Sequence, residues 1–151
     1  MKLRLLLAPV VALLMTGCGE KPTTMDEFRS TEVLFPGGQK ILAEMMRSEH
    51  EISRGMMFRQ SLRPDRGMLF FHGRPGNWTY YMFQVEIPLD IVWLDGAKRI
   101  VEMSPNTPPC TSKSARECPV YGGKAESQYV LELAGGQIEN FKLKLGDTIR
   151  F

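Results

Sequence analysis

The sequence is poor in the residues that most catalytic and metal sites need. Its 151 residues include only two histidines and three cysteines. The zinc-protease motif His-Glu-x-x-His, the nucleophile motif Gly-x-Ser-x-Gly and the phosphate-binding Gly-x-x-x-x-Gly-Lys are all missing. These absences remove the common signatures of hydrolases and nucleotide-binding proteins. We expect no catalytic residue, no metal and no cofactor.

An excess of one charge is also missing from most of the chain. The 19 Lys and Arg exceed the 17 Asp and Glu by two, and Lys2 and Arg4 at the start account for that surplus. A neutral chain lacks the basic surface that non-specific nucleic-acid binding requires, so we expect no nucleic-acid partner. With 43% hydrophobic residues, the chain can build one core but not two large domains.

No apolar run is long enough to cross a bilayer, which takes roughly 18–20 residues. The longest run, residues 5–14, follows two basic residues and precedes Thr16-Gly17-Cys18. This order predicts a secretory signal peptide over residues 1–17. The small residues before Cys18 resemble the lipobox of bacterial lipoproteins, which implies that Cys18 is the lipidated first residue of the mature protein.

The lipoprotein resemblance also implies a location. Gly19 stands where the inner-membrane retention signal would be Asp, so we expect the periplasmic face of the outer membrane. The membrane contact is then made by acyl chains, which hold firmly when there are two or more. Residues 18–30 are polar and unpatterned after the cysteine and form a flexible tether in this prediction, and residues 31–151 form the folded domain.

Cys110 and Cys118 remain once Cys18 is assigned to lipid. Disulfides form in exported proteins, and we expect these two cysteines to pair. The bond would close a loop of about nine residues in a segment rich in proline and glycine, and would stabilise by roughly 2–3 kcal/mol. A metal site or a redox pair is the alternative, although this spacing without a flanking histidine matches neither zinc sites nor Cys-x-x-Cys.

Strand patterns dominate residues 31–151. Two hairpins are predicted, one around Pro36-Gly37-Gly38 and one around Asp95-Gly96. Ser48 followed by Glu51 is a capping-box pattern that predicts a short helix, and residues 136–143 predict a second. The remaining apolar runs predict strands at residues 68–71, 78–85 and 128–134. The expected fold is mainly β (α+β): a single compact antiparallel domain, barrel-like or sandwich-like, with two short helices.

Four motifs follow one another along residues 54–147. They are Arg54-Gly55-Met56-Met57-Phe58-Arg59, Gly67-Met68-Leu69-Phe70, Tyr81-Met82 with Ile87-Pro88-Leu89-Asp90-Ile91, and Tyr129-Val130-Leu131-Glu132-Leu133-Ala134-Gly135 with Gly146-Asp147. Together they resemble one prokaryotic family, domain of unknown function 192. The resemblance runs from about Val33 to Phe151, and it implies a small, mostly β domain of unassigned activity. The Pro108-Pro109-Cys110 and Cys118-Pro119-Val120-Tyr121 segments recur in exported members.

One segment departs from the family pattern. Members usually carry Trp-Met, a basic residue and Asn-Thr, whereas this chain has Tyr81-Met82-Phe83-Gln84-Val85. Tyr81 replaces the Trp, and Gln84 offers an amide in place of the Asn. We include both among the candidate ligand-binding residues.

Two carboxylates alternate with apolar residues on predicted strands. Asp90 shares a strand face with Val92 and Leu94, and Glu132 shares one with Val130. Semi-buried carboxylates need partners, and Arg54 and Arg59 are the nearest candidates. These four residues either line a polar pocket for a small ligand or form an internal ion-pair network that holds a helix to the sheet.

Methionines and aromatic residues allow further interpretations. Seven methionines fall in the predicted folded part. They either bind copper(I) or pack in the core, and the apolar patterns around them favour core packing. Trp78, Tyr80 and Tyr81 are either a stacking platform for a sugar ring or sheet packing. The histidines, His50 and His72, are expected on an exposed helix and at the edge of a turn.

We therefore predict a membrane-anchored periplasmic lipoprotein whose β-rich domain binds a small ligand or an envelope protein without catalysis. The alternative is an envelope hydrolase that uses Asp90 and Glu132 as an acid/base pair. A third hypothesis is a structural envelope component without a small ligand.

Overall fold

Residues 29–151 are described here from a computed structural model of the chain. The predicted signal peptide, the lipidated Cys18 and nearly all of the tether lie outside these residues. The described part forms a six-stranded sheet in the order β1-β2-β3-β8-β5-β6 and a separate two-stranded sheet of β4 and β7. The strands are β1 (Ser30–Leu34), β2 (Lys40–Met46), β3 (Arg66–Gly76), β4 (Thr79–Tyr81), β5 (Leu89–Leu94), β6 (Ile100–Thr107), β7 (Val120–Gly122) and β8 (Ser127–Ala134).

Two short α-helices accompany the sheets, α1 (Glu49–Arg54) and α2 (Gln137–Asn140), as the sequence predicts. The expected capping box is formed at α1, because Ser48 and Glu51 bind each other's backbone amides. Helix α1 connects β2 to β3, which run parallel, whereas the other neighbouring pairs of the large sheet are antiparallel. A helical crossover is the usual way to join parallel strands, and it places α1 over the sheet.

The mainly β fold is confirmed, and residues 29–151 do not close into a barrel. The C-terminal segment connects the two edges of the large sheet instead. Arg150 exchanges backbone hydrogen bonds with Leu34 of β1, and the Ile149 N–H donates to the Lys98 carbonyl just before β6. Neither helix in the described part has the length and apolar character that a membrane crossing requires.

The large sheet separates two hydrophobic clusters. The first cluster includes Val92, Leu94 and Leu131 and is covered by α2 and the C-terminal segment. The second includes Ile91, Trp93 and Val130 and is covered by the α1 region, β4 and the loop around Met82. Met56, Met68 and Met82 are buried in the second cluster, as the core interpretation predicts.

The predicted disulfide between Cys110 and Cys118 is formed. It closes a loop that leads into β7, and β7 pairs with β4 through Tyr80 and Tyr121. The Cys110 N–H also donates to the Met82 carbonyl at 3.1 Å. The disulfide loop therefore supports β4 and the segment that follows it.

The predicted strand over residues 78–85 is wrong in its second half. Only Thr79–Tyr81 is a strand, because the chain turns sharply after it and Gln84 has φ 57°. Phe58, with φ 64°, donates its N–H to the Gln84 carbonyl at 2.7 Å. Positive φ in a bulky residue such as Phe58 is unusual, and this hydrogen bond joins the loop after α1 to the loop after β4.

Candidate functional site

Asp90 is fully buried and is held by backbone amides. Its carboxylate accepts hydrogen bonds from the N–H groups of Asn106 at 2.7 Å, Gly136 at 3.1 Å and Ile138 at 2.5 Å. These amides belong to the end of β6 and the start of α2, so one side chain on β5 joins three elements. Carboxylates that accept several backbone hydrogen bonds stabilise the local fold, and we assign Asp90 a structural role.

Glu132 lies on the opposite face of the same sheet. It is opposite Ile91 in the register of β5 and β8, whereas Asp90 is opposite Leu133. Directly paired residues of antiparallel strands point to the same face, and Ile91 belongs to the second cluster whereas Leu133 belongs to the first. The sheet therefore separates the two carboxylates, and the acid/base pair of the hydrolase hypothesis is not formed.

A cleft of about 520 Å³ opens on the Glu132 face, and we call it the Glu132 cleft. Helix α1 and the residues after it form one side, and the end of β3 with β4 forms the other. Its apolar lining includes Ile52, Met56, Phe70, Tyr80 and Val85. Polar and charged lining residues are fewer and include Glu132, His72, Arg54, Arg47 and Glu49. This volume and this composition are typical of small-molecule sites.

Glu132 is the unusual group in this cleft. Its side chain is 6% exposed, and its Oε2 has no hydrogen-bond partner within residues 29–151. Burial raises the pKa of Glu132 from 4.5 to about 8, although the positive charge of Arg59 opposes the shift. A buried polar atom without a partner is costly. Glu132 can donate or accept a hydrogen bond when a ligand enters.

A cluster of aromatic side chains forms one wall of the Glu132 cleft. The ring of His72 stacks on Trp78 with centroids 4.0 Å apart, and its Nε2 lies 3.1 Å from the hydroxyl of Tyr80. Tyr80 also contacts Phe70 edge-on, with centroids 5.2 Å apart. The backbone carbonyl of Trp78 accepts a hydrogen bond from the Trp93 indole N–H at 2.9 Å, which holds Trp78 against the core.

The titratable groups of this wall are held neutral. Burial lowers the pKa of His72, which keeps its imidazole uncharged near neutral pH. Burial and the neighbouring Glu132 raise the pKa of Tyr80 well above its usual value. His72 was expected at the edge of a turn, and that prediction is wrong: β3 continues through Gly76 with an irregular register, and His72 is buried in it.

The two candidate arginines have different surroundings. Arg54, at the last turn of α1, lines the Glu132 cleft and has no ion pair or hydrogen bond from its side chain within the described part of the chain. Arg59 binds Glu44 in a two-pronged ion pair with both contacts at 2.6 Å. Arg59 and Glu44 line a second cavity, of about 560 Å³, which shares Arg54, Gly55 and Met57 with the Glu132 cleft.

The remaining candidate residues, Tyr81 and Gln84, lie at the margin of the Glu132 cleft and outside it, respectively. Tyr81 lines the cleft and is 40% exposed, whereas Gln84 is exposed in the turn after β4 and lines neither cavity. The structure therefore brings together Arg54, Tyr81 and Glu132, and leaves Arg59, Gln84 and Asp90 outside the cleft. His72 was missed because Gly73-Arg74-Pro75 reads as a turn.

Glycine at position 67 has a steric reason. A Cβ there would lie 2.8 Å from the Glu132 carbonyl oxygen and 2.8 Å from Ile41 Cδ1. Only glycine allows β3 to approach β8 this closely. Part of the Gly67-Met68-Leu69-Phe70 motif therefore fixes the strand that carries Glu132.

The cleft shows no arrangement that would hold a metal. Across residues 29–151, no three His, Cys, Asp or Glu side chains gather closely enough to bind an ion together. Cys110 and Cys118 are consumed by their disulfide. The lining residues of the Glu132 cleft offer hydrogen bonds, charge and aromatic contact.

Two similar proteins are described by the name UPF0127 protein alone. A UPF0127 protein of Thermococcus kodakarensis is 29% identical over 73 residues, 48% of this chain and 41% of that protein. A UPF0127 protein of Thermococcus gammatolerans is 30% identical over 73 residues, 48% of this chain and 42% of that protein. The matched region thus spans about two fifths of the length of these relatives.

Solved structures share the fold. A protein of unknown function from Novosphingobium aromaticivorans has a TM-score of 0.69 and 26% identity, over 81% of this chain and 84% of that one. A proposed transcription regulator of Sinorhizobium meliloti has a TM-score of 0.68 at 23% identity, over 79% of this chain and 89% of that one; it shows the fold alone. The family model of DUF192, described as Uncharacterized ACR, matches residues 32–151, and the chain belongs to that family.

Proposed function

We propose that this domain binds a small ligand in the Glu132 cleft and does so without catalysis. The observation that carries the proposal is the buried Oε2 of Glu132. This oxygen has no hydrogen-bond partner within residues 29–151, and Glu132 lines a cleft of ligand size. A ligand that supplies a hydrogen-bond donor there removes the cost of the unsatisfied oxygen. Ion-pair networks that only stabilise a fold satisfy their own groups, as Arg59 and Glu44 do.

The non-catalytic part of the proposal rests on the same geometry. His72 and Tyr80 face each other across a 3.1 Å contact in the wall, and Asp90 is on the far side of the sheet, bound to three amides. Among residues 29–151, Glu132 is the one carboxylate that lines this cleft and is buried. The surroundings provide shape and polarity for recognition.

The second part of the proposal is the location. We propose that Cys18 carries a lipid that holds the domain at the periplasmic face of the outer membrane, because residues 1–18 have the order of charged, apolar and small residues typical of a lipoprotein signal. Cys18→Ser should move the protein from the membrane fraction to the soluble periplasmic fraction. A variant that stays firmly membrane-bound would contradict lipid anchoring.

A thermal-shift screen tests the binding proposal. The full-length protein in detergent is screened against sugars, amino acids, peptidoglycan fragments and metal ions, including copper. A ligand at 100 times its Kd stabilises by about 2.7 kcal/mol, which raises the Tm by several degrees for a domain of this size.

Three variants connect any hit to the cleft. Glu132→Gln removes the carboxyl, and Gly73→Trp fills the cleft at a position where an added Cβ meets no atom within 4 Å. Glu139→Gln is the matched control, because Glu139 is exposed on α2 on the other face. The proposal predicts a hit that is lost in the first two variants and kept in the third. No hit, or a hit insensitive to both cleft variants, would overturn it.

A further inference from the structure

The Glu132 cleft has an acidic group at depth and a cationic group at its rim. Glu132 is buried, and Arg54 is exposed at the last turn of α1, where it has no ion-pair partner within residues 29–151. Both line the same cleft. Two groups of opposite charge type, each available to a ligand, complement a molecule that carries both an ammonium group and a carboxylate.

The rest of the lining is largely apolar and aromatic. Phe70 and Tyr80 meet edge-on, and Ile52, Met56 and Val85 are further apolar lining residues. Aromatic faces attract a cation as well as apolar groups. A compound that fits this lining has a positive group that reaches Glu132 and an apolar body.

From these positions, we propose that the ligand is a small zwitterion, an apolar α-amino acid or short peptide, whose ammonium group binds Glu132 and whose carboxylate binds Arg54. This inference deepens the proposed function and rests on it. A bidentate Arg–carboxylate contact gives geometric selectivity at the rim. Sugars lack both charged groups, and simple carboxylic acids lack the ammonium.

Other charged groups near the cleft are already engaged or lie at its margin. Arg59 is held by Glu44, and Arg47 packs over the ring of Phe71, 4.6 Å from its centroid. Glu49 lies in the exposed first turn of α1. Glu132 is therefore the acid that a buried ammonium would meet.

A proton-linked signature follows from the buried carboxyl. Burial raises the pKa of Glu132 to about 8, so it is mostly protonated at pH 7. An ammonium group stabilises the ionised carboxylate, and binding at pH 7 should release close to one proton per ligand. A ligand without a positive charge has no such effect.

The test is isothermal titration of the full-length protein with three matched compounds. L-phenylalanine has both charges, N-acetyl-L-phenylalanine lacks the ammonium, and L-phenylalanine amide lacks the carboxylate. We expect L-phenylalanine to bind at least tenfold more tightly than either derivative. Titrations at pH 7 in phosphate and in Tris, which differ in ionisation enthalpy, measure the released proton.

Two variants assign the two charged contacts. Glu132→Gln should weaken L-phenylalanine at least tenfold and abolish proton release, with little change for the N-acetyl compound. Arg54→Gln should weaken L-phenylalanine at least tenfold and leave the amide unchanged. The surface variant Glu139→Gln should bind all three compounds as the unmodified protein does.

The contradicting outcomes separate this inference from the proposed function. Equal or tighter binding of N-acetyl-L-phenylalanine would overturn the ammonium assignment. Failure of the whole phenylalanine series, together with a cleft-dependent hit from another class in the thermal screen, would overturn the zwitterion and keep the binding function. Failure in both experiments would overturn both.

Discussion

Two carboxylates on neighbouring strands of one sheet have opposite surroundings. Asp90 on β5 has no exposed surface and accepts three backbone hydrogen bonds. Glu132 on β8 is nearly as buried, yet its Oε2 has no partner within residues 29–151. Similar burial therefore does not imply a similar role. A satisfied carboxylate holds the fold together, and an unsatisfied one that lines a cleft is available to a ligand.

Removing Asp90 should have the largest effect on stability. Asp90→Ala leaves the amides of Asn106, Gly136 and Ile138 without their acceptor. Hydrogen bonds to a charged group contribute about 1.5–3 kcal/mol each, so we expect a loss of about 5 kcal/mol in the free energy of unfolding, measured by urea denaturation.

The matched control is Asp65→Asn at an exposed ion pair with Arg63, where the expected loss is below about 1 kcal/mol. If Asp90→Ala is too unstable to purify, Asp90→Asn keeps one acceptor oxygen and should lose less. Equal stability of Asp90→Asn and Asp65→Asn would contradict the structural role of Asp90.

Glu132→Gln should raise the free energy of unfolding at neutral and alkaline pH, whereas Asp90→Ala lowers it. The folded-state pKa of about 8 lies above the usual 4.5, so the folded protein binds the proton more tightly and loses stability as pH rises from about 4.5 to 8. The loss by pH 7 is on the order of 3 kcal/mol. The glutamine variant lacks this dependence.

Urea denaturation across this pH range checks the sign. The difference in unfolding free energy between Glu132→Gln and the unmodified protein should grow in favour of the variant as pH rises, and level off above about pH 8. The same difference measured for Glu139→Gln should stay flat. A variant that becomes relatively less stable with rising pH would show that the folded protein stabilises the ionised carboxylate.

Loss of the disulfide should lower the unfolding free energy by an intermediate amount, and the structural change should lie on the Glu132 face of the sheet. The double variant Cys110→Ser/Cys118→Ser should lower the unfolding free energy by about 2–3 kcal/mol under oxidising conditions. Because the loop supports β4 through Tyr80 and Tyr121, the affinity of any cleft ligand should fall as well. The same measurements in reductant are the control, and an equal difference there would contradict the stapling role.

The smallest effect is expected at the cap of α1. Ser48 accepts a hydrogen bond from the Glu51 amide, and Ser48→Ala should cost about 1 kcal/mol. Glu51 is a half-buried partner whose pKa is lowered to about 2, chiefly by the backbone amide of Ser48. Its contribution is therefore complete above pH 4.5 and is lost as pH falls towards 2. Ser114→Ala, at the short turn before Cys118, is the comparison: a loss of unfolding free energy as large as that of Ser48→Ala would contradict a particular contribution of the capping box.

The sequence predicts which side chains share a strand face with each carboxylate. It does not predict that the two carboxylates lie on opposite faces of the sheet. Alternation on each strand places Asp90 with Val92 and Glu132 with Val130, and the structure confirms both assignments. The pairing of Ile91 with Glu132 depends on strand order and register, which alternation within one strand does not contain. Without that register, the two carboxylates look like neighbours.

Local signals succeed where the interaction itself is local. The capping box at Ser48 and the hairpin at Asp95-Gly96 are formed as expected, because a few adjacent residues determine them. The partner of Asp90 is missed because backbone amides at positions 106, 136 and 138 leave no mark in the sequence. His72 is missed because tertiary packing extends β3 through residues with turn chemistry.

The central claim is that the Glu132 carboxyl is buried and unpaired until a ligand arrives. Carbon-13 NMR titration of that carboxyl in the full-length protein measures its pKa directly. The account predicts a midpoint of about 8 in the free protein and a lower midpoint with saturating L-phenylalanine. A midpoint near 4.5 in the free protein would contradict the claim, because the carboxylate would then already have a partner or free access to water.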